Sequence, residues 1–286
     1  MEMIPEVAIV GRISLDLLFA GASRLPGEGE EIYSEKFDIQ LGCSSFVYAA
    51  ALHRLGVPIR FGTFLSAAMR SQMARILLER EFGSDYINLY LDTDNTVHDP
   101  IMISAAMSTP RDRSFMSYAD EECNTTMSAD DVYQFYRGAK VVPTLTAYPE
   151  VMCKLAAEGV RLVHDTWWHD DMSLEREIPL LQFAEVFSPN DKEALKLTKT
   201  DNVEDAIKIL ARHVRHPIIT MGSAGSMTFL NEKVVYVKSP VQFNCVDTTG
   251  AGDNFLAGVM YGMYQGWDII RAMQAGNICG GHSTTQ

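Results

Sequence analysis

The stretch "DTTGAGDNFLAG", Asp247 to Gly258, sets Thr248, Thr249, Gly250, Ala251 and Gly252 between two carboxylates, and a helical pattern follows directly. Phe255, Leu256, Val259, Met260 and Met263 fall on one helical face, while "VYVKSPVQFNCVD" (235–247) leads in with β-type residues. The turn is therefore expected to join a strand to a helix N-terminus. The first amides of a helix have no internal partner, and its dipole favours negative charge there. Small side chains let an anion approach those amides closely, which accounts for Gly250, Ala251 and Gly252. Asp253 would repel that anion. It reads either as an acid favoured in the first helical turn or as a base that takes a proton from a hydroxyl attacking a phosphoryl group.

Outward from this turn the chain alternates. "VAIVG" (7–11), "IRFGTFL" (59–65) and "YINLYL" (86–91) read as strands, and 44–56 and 69–83 as helices, with Ser44 or Ser45 able to cap and Gly56 able to stop the first. Later strands are expected in "AKVVPTL", "RLVHD", "AEVFSP" and "PIITMG", with helices at "PEVMCKLAAEG", "DKEALKLT" and "VEDAIKILARHV". Such alternation specifies an α/β fold: a doubly wound, mostly parallel sheet with helices on both faces. Two segments, 13–42 and 98–118, break it with strand-like patterns and no helix, and read as β-structure projecting from the main sheet. No repeat or linker divides the 286 residues, so a single domain is expected.

The formal charge of −13 argues against nucleic acid as a partner. The five cysteines, Cys43, Cys123, Cys153, Cys245 and Cys279, form no CxxC pair and read as reduced thiols of a cytoplasmic protein. The start "MEMIPEVAIVGRISLD" lacks the pattern of a signal peptide, and no apolar run is long enough to span a membrane.

"VDTTGAGDNFLAG" (246–258) resembles the signature of the ribokinase-like (PfkB) carbohydrate kinases. Other pieces of that family follow in order: "GRISLDLL" with Asp16, "LGCSSFVYAAALHRLGV" with Gly42 and Cys43, "SPNDKEALKLT" with Asn190 and Glu193, and "ITMGSAG" with Thr220, Gly222 and Gly225. The resemblance implies transfer of the ATP γ-phosphate to a hydroxyl of a sugar or sugar acid. It also implies a small β-sheet lid, matching 13–42 and 98–118, through which two copies pair. By the same resemblance Asp253 is the base and Gly250, Ala251 and Gly252 form the anion hole. Asp16, Gly42, Cys43 and the position of Val47 face the acceptor, and Asn190, Thr220, Gly222 and Gly225 lie by the nucleotide. Asn190 and Glu193 would order Mg²⁺ through water, as oxygen ligands suit that cation. Asp247 and Thr249 would sit by a monovalent cation such as K⁺. From the residues alone, Asn190 and Glu193 read equally as a helix cap with a first-turn acid.

Several acceptor-side positions depart from the family pattern. Ser14 and Val47 stand where asparagines are usual, and "DTWWHD" (165–170) puts Trp167 and His169 at the Asn and Arg positions of a D-x-N-x-R motif. Ribose is accordingly expected to be a poor acceptor. Trp167 and Trp168 read as a stacking platform or as a packed pair with one ring in and one half out. His164 and His169 flank Asp165 without a third metal ligand, and Arg113 resembles the lid arginine of the family. "AGNICGGHSTTQ" (275–286) resembles the helix beside the adenine site, after which the family has a further loop and helix, so either the protein is short or the sequence is a piece of a longer one. A nucleoside kinase and a non-catalytic ligand sensor on the same fold are the competing readings.

Overall fold

The computed structural model describes residues 6–91, 98–109, 113–123 and 125–285. Among these, hydrogen bonding joins nine strands in one sheet and four in another. The large sheet contains β1 (Val7–Val10), β4 (Ile59–Thr63), β5 (Ile87–Asn88), β8 (Val141–Pro143), β9 (Arg161–His164), β10 (Val186–Phe187), β11 (His216–Thr220), β12 (Ser226–Leu230) and β13 (Lys233–Val237). The small sheet contains β2 (Ser14–Ala20), β3 (Lys36–Gly42), β6 (Met102–Ser108) and β7 (Arg113–Tyr118). By contacts the chain forms two compact units, one of residues 1–9, 51–60 and 127–286, the other of 10–50 and 61–126.

In the first unit the strand order is β13-β12-β11-β10-β9-β8-β1. Strands β1, β8, β9, β10 and β11 pair in parallel, and β12 and β13 close the edge as an antiparallel hairpin. Parallel strands are buried on both faces and so read as continuous apolar runs, as in the fully buried "VAIV" of β1. The hairpin turns at Asn231 and Glu232, both with positive φ, the geometry that matches strand twist. Around the sheet lie α3 (Ala129–Tyr136), α4 (Pro149–Ala157), α5 (Leu174–Leu181), α6 (Asp191–Thr198), α7 (Val203–Leu210), α8 (Ala251–Tyr264) and α9 (Ile269–Ser283). Ser128, Asn202 and Asp268 cap α3, α7 and α9 by accepting from backbone amides. Leu181, Phe187, Leu197, Ile207, Leu210, Ile219 and Met227 share one dry core between α5, α6, α7 and the sheet.

Three expectations need correction. The approach to the Gly-Ala-Gly turn is not a strand: β13 ends at Val237, and 238–250 is irregular. Pro240 has no amide to donate to a ladder, and the amides of Val246 and Asp247 donate instead to the Thr284 carbonyl, at 2.7 and 3.1 Å. The strand expected over 86–91 shrinks to Ile87–Asn88, because the Asn88 side chain takes both the amide and the carbonyl of Leu65. Helix α1 (Ser44–Arg54) is not capped by Ser45, whose hydroxyl donates to the Arg12 carbonyl at 2.6 Å.

In the second unit, α2 (Met69–Phe82) accompanies the small sheet, whose order is β3-β2-β6-β7. The two helix-free segments thus form this sheet. Residues opposite one another in the register share a face. Leu15, Leu17 and Phe19 align with Leu41, Ile39 and Phe37, and with Ile103, Ala105 and Met107. Tyr118 and Met116 continue that row on β7, so one face is almost wholly apolar. The other face carries Ser14, Asp16, Gln40, Ser104 and Ser117. Between β3 and α1, Cys43 takes a left-handed conformation with φ 73, which costs a residue bearing a Cβ roughly 1–2 kcal/mol. Cys43→Gly is expected to raise stability in urea unfolding by about 0.5–1 kcal/mol, the extra freedom of glycine in the unfolded chain offsetting part of the relief. A loss of stability would show that the Cys43 side chain contributes more than its backbone costs.

Candidate active site

In the first unit the sheet leaves Asp165 just past β9, Asn190 and Glu193 past β10, and Gly222 past β11, all at strand carboxyl ends. Open α/β sheets bind ligands at that edge. An isolated parallel bridge between Asn190 and Thr220 holds the second and third of these loops together.

Gly250 is the N-cap of α8 and sits in the left-handed region, φ 68. The chain reverses there, so that Ala251 N–H donates to the Thr248 carbonyl at 3.2 Å and the helix starts at once. A Cβ built on Gly252 would meet nothing within 4 Å, so open space lies over this first turn. Asp253 stands in the same turn, with Asp165 and Glu193 close enough to act on its charge. Burial first, then those two carboxylates, push the Asp253 carboxyl up to about 8. Glu193 is buried and is likewise raised, by burial and then by Asp165 and Asp191, against the amide bonds that stabilise its charge. Asp165 reads in the sequence only as the first position of "DTWWHD" and the neighbour of two histidines, with no role of its own. Its signal was a lone carboxylate directly after the apolar strand "RLVH".

Asn190 and Glu193 form a complete capping box on α6. Asn190 Oδ1 accepts from Glu193 N at 2.9 Å, and Asn190 N donates to Glu193 Oε2 at 2.8 Å. The cap reading is therefore realised, and it holds the Glu193 carboxylate within electrostatic reach of Asp165 and Asp253. Among the described residues no three His, Cys, Asp or Glu side chains converge to enclose a metal by themselves. Asn190, Glu193 and their neighbours fit Mg²⁺, which keeps several waters and shares phosphate oxygens.

On the turn after β11, Gly222 has φ 54 with open space about it. Gly225 is needed for packing: a Cβ there would overlap the Val237 carbonyl and come within 3.0 Å of Lys238 Cα. Asp247 Oδ1 accepts from both the amide and the hydroxyl of Thr249, at 2.8 and 2.7 Å, which folds this pair into a local turn.

In the second unit Asp16, Ser14 and Gly42 come together. Ser14 Oγ donates to Asp16 Oδ1 at 2.6 Å, and burial raises the Asp16 carboxyl while that bond lowers it. Gly42 pairs with Ser14 across β2 and β3, and a Cβ on it would overlap Asp16 Oδ2. Val47 lies in the first turns of α1, its amide bonded to the Cys43 carbonyl. Arg113 begins β7, and its side chain lies outside the described residues.

His164 is a core residue. Nδ1 pairs with Thr144 Oγ1 at 2.6 Å, Nε2 with Glu177 Oε2 at 2.7 Å, and the ring stacks on Phe187. His169 Nδ1 pairs with Asp171 at 2.9 Å. The packed-pair reading of the tryptophans does not hold: Trp167 is 65% and Trp168 54% exposed.

A doubly wound α/β unit with a glycine turn at a helix N-terminus and a desolvated aspartate beside it is an arrangement open to several kinds of small-molecule chemistry. The match to known proteins narrows it: the model of the pfkB family carbohydrate kinases covers residues 48–286, and the chain belongs to that family. It is a phosphotransferase with an alcohol group as acceptor. Arabidopsis thaliana ribokinase is 24% identical over 275 residues, spanning 92% of this chain and 71% of that protein. A 5-dehydro-2-deoxygluconokinase of Geobacillus thermodenitrificans is 24% identical over 293 residues, spanning 93% and 83%. Among solved structures, Arabidopsis thaliana ribokinase complexed with ribose and ATP superposes with a TM-score of 0.78 at 22% identity, covering 99% of this chain and 94% of that one. The adenosine kinase of Sinorhizobium meliloti gives 0.75 at 21% identity, covering 99% and 94%.

Proposed function

We propose that Asp253 takes the proton of an acceptor hydroxyl on a sugar or sugar acid as that oxygen attacks the γ-phosphorus of ATP, the bond to the β–γ bridging oxygen breaking and ADP leaving. The observation that carries this reading is a carboxylate desolvated enough to hold a proton near pH 8, set in the first turn of a helix whose glycines leave room for an anion. Gly250, Ala251 and Gly252 would present amides to the transferring group. Thr220, Gly222 and Gly225 would line the nucleotide. Mg²⁺ held through water by Asn190 and Glu193 would neutralise charge on the phosphates. Asp247 and Thr249 would serve a monovalent cation. Asp16, with Gly42 against it, would receive acceptor hydroxyls, and Cys43 and the apolar Val47 would line the acceptor from the start of α1. ADP release measured over a panel of sugars and sugar acids tests the reading; ATP binding without transfer to any member would refute it.

Glu193→Gln separates the metal role from the cap. Glutamine keeps an oxygen for the Asn190 amide, so the capping box survives, while the charge is lost. The Mg²⁺ concentration for half-maximal rate is expected to rise several-fold with little change in acceptor KM. An unaltered Mg²⁺ titration would leave the motif as a cap alone.

The small sheet suits a second copy of the chain. Phe37, Met116 and Tyr118 lie on its apolar face and are exposed, and large exposed apolar patches mark interaction sites. A homodimer is expected in sedimentation at micromolar concentration, and Met116→Glu should shift it towards monomer. A monomeric wild-type chain would overturn this pairing. The five thiols, none in a disulfide, fit a reducing cytoplasm.

A further inference from the structure

We propose that Trp167 is a stacking wall for the acceptor, and that the acceptor is therefore a sugar bearing a flat or apolar substituent, such as a nucleobase or an aromatic aglycone. This deepens the kinase reading and rests on it. Two adjacent indoles exposed at 65% and 54% are unusual for the largest apolar side chains, which ordinarily bury most of their surface. The segment that carries them is held at several points. The Thr166 amide donates to Asp165 Oδ1 at 2.9 Å, His169 pairs with Asp171, and Lys196 Nζ donates to the His169 carbonyl at 2.8 Å. The same ammonium lies 4.2 Å from the Trp168 ring centroid, so Trp168 is engaged with α6. Trp167 has the His169 ring at 6.0 Å and keeps most of its surface for something else. A fixed aromatic face loses little conformational freedom when a planar group stacks on it, which is why such faces serve binding.

Strand order says which substrate that is. The proposed nucleotide turn follows β11, the proposed metal residues follow β10, and Trp167 follows β9. Neighbouring strands are about 4.8 Å apart, so β9 ends roughly 10 Å from the nucleotide strand. Asp165, two residues before Trp167, acts on the charge of Asp253. Trp167 thus follows the carboxylate that acts on Asp253, past a strand on the other side of the metal residues' strand from the nucleotide turn, which in an in-line transfer is the acceptor's side.

Two matched pairs test this: ribose with adenosine, and glucose with phenyl β-glucoside, each assayed for kcat/KM with wild type, Trp167→Ala and Trp167→Phe. The wild type is expected to favour the substituted member of one pair by tenfold or more, and the pair that shows it tells a base from an aglycone. Trp167→Ala should reduce that ratio about five- to hundredfold, through KM, and Trp167→Phe should keep most of it. Equal use of both members of each pair, or a ratio unmoved by Trp167→Ala, overturns the proposal, while transfer to any sugar still upholds the kinase reading. If no acceptor is phosphorylated, that reading fails separately. Calorimetric titration of the same pairs then decides the stacking: tighter binding of the substituted member that weakens in Trp167→Ala supports it, and equal binding overturns it.

Discussion

Asp253→Asn is expected to lower the rate of phosphoryl transfer about 10²–10⁴-fold while ATP still binds, because general-base catalysis contributes on that scale. The pH profile carries a second signature. The base must be ionised, and with its carboxyl pushed up to about 8 in the free protein, kcat/KM should fall as pH drops below that value. Glu193 is one of the causes of the rise, so Glu193→Gln should move this acidic limb to lower pH. Stability should change in the opposite sense to activity. The Asp253 pKa is raised in the fold above its ordinary 3.8, so the folded protein binds this proton more tightly than the unfolded chain. Stability is then full below about pH 4, is lost as pH rises, and reaches its lowest level above pH 8. Asparagine carries no charge and escapes that loss, so the variant should be the more stable protein at pH 8, by at most about 6 kcal/mol at 1.4 kcal/mol per pKa unit. Thermal unfolding at pH 5 and pH 8 reads the difference. An equally active variant would place Asp253 outside the chemistry, and one no more stable at pH 8 than wild type would show that burial does not raise its carboxyl.

Gly42→Ala should nearly silence the acceptor side. The new methyl group would overlap Asp16 Oδ2 and lie 2.6 Å from both Asp16 Cγ and Ser14 Oγ. The carboxylate must swing away, and its bond to Ser14 goes with it. Hydrogen bonds to a charged group contribute roughly 1.5–3 kcal/mol, so acceptor affinity should fall about ten- to hundredfold. Measured ATP affinity should stay near the wild-type value, because the displaced groups all belong to the small sheet. If acceptor KM is unchanged in Gly42→Ala, Asp16 does not bind the acceptor.

How much of this the sequence carried can be traced residue by residue. The parallel strands were legible because burial on both faces demands continuous apolar runs, as in "VAIV". The turn at Gly250 was legible because an N-cap in the left-handed region tolerates few other residues. The capping box at Asn190 and Glu193 was legible from a spacing of three. Helix α5, with Pro179 inside it, was not legible, since local propensity opposes the helix and the burial of Leu174, Leu180 and Leu181 overrides it.

By itself, the sequence determined the alternation of strands and helices, the helix-free sheet and the glycine turn before Asp253, because each rests on short-range periodicity or on a backbone conformation few residues can adopt. Only the tertiary structure decided that 238–250 hangs from the Thr284 carbonyl instead of forming a strand, since that bond joins residues far apart in the chain. The same holds for the company of Asp165 around Asp253 and for the exposure of both Trp167 and Trp168. Charge coupling and solvent exposure are properties of what surrounds a side chain in space, and no local pattern encodes them.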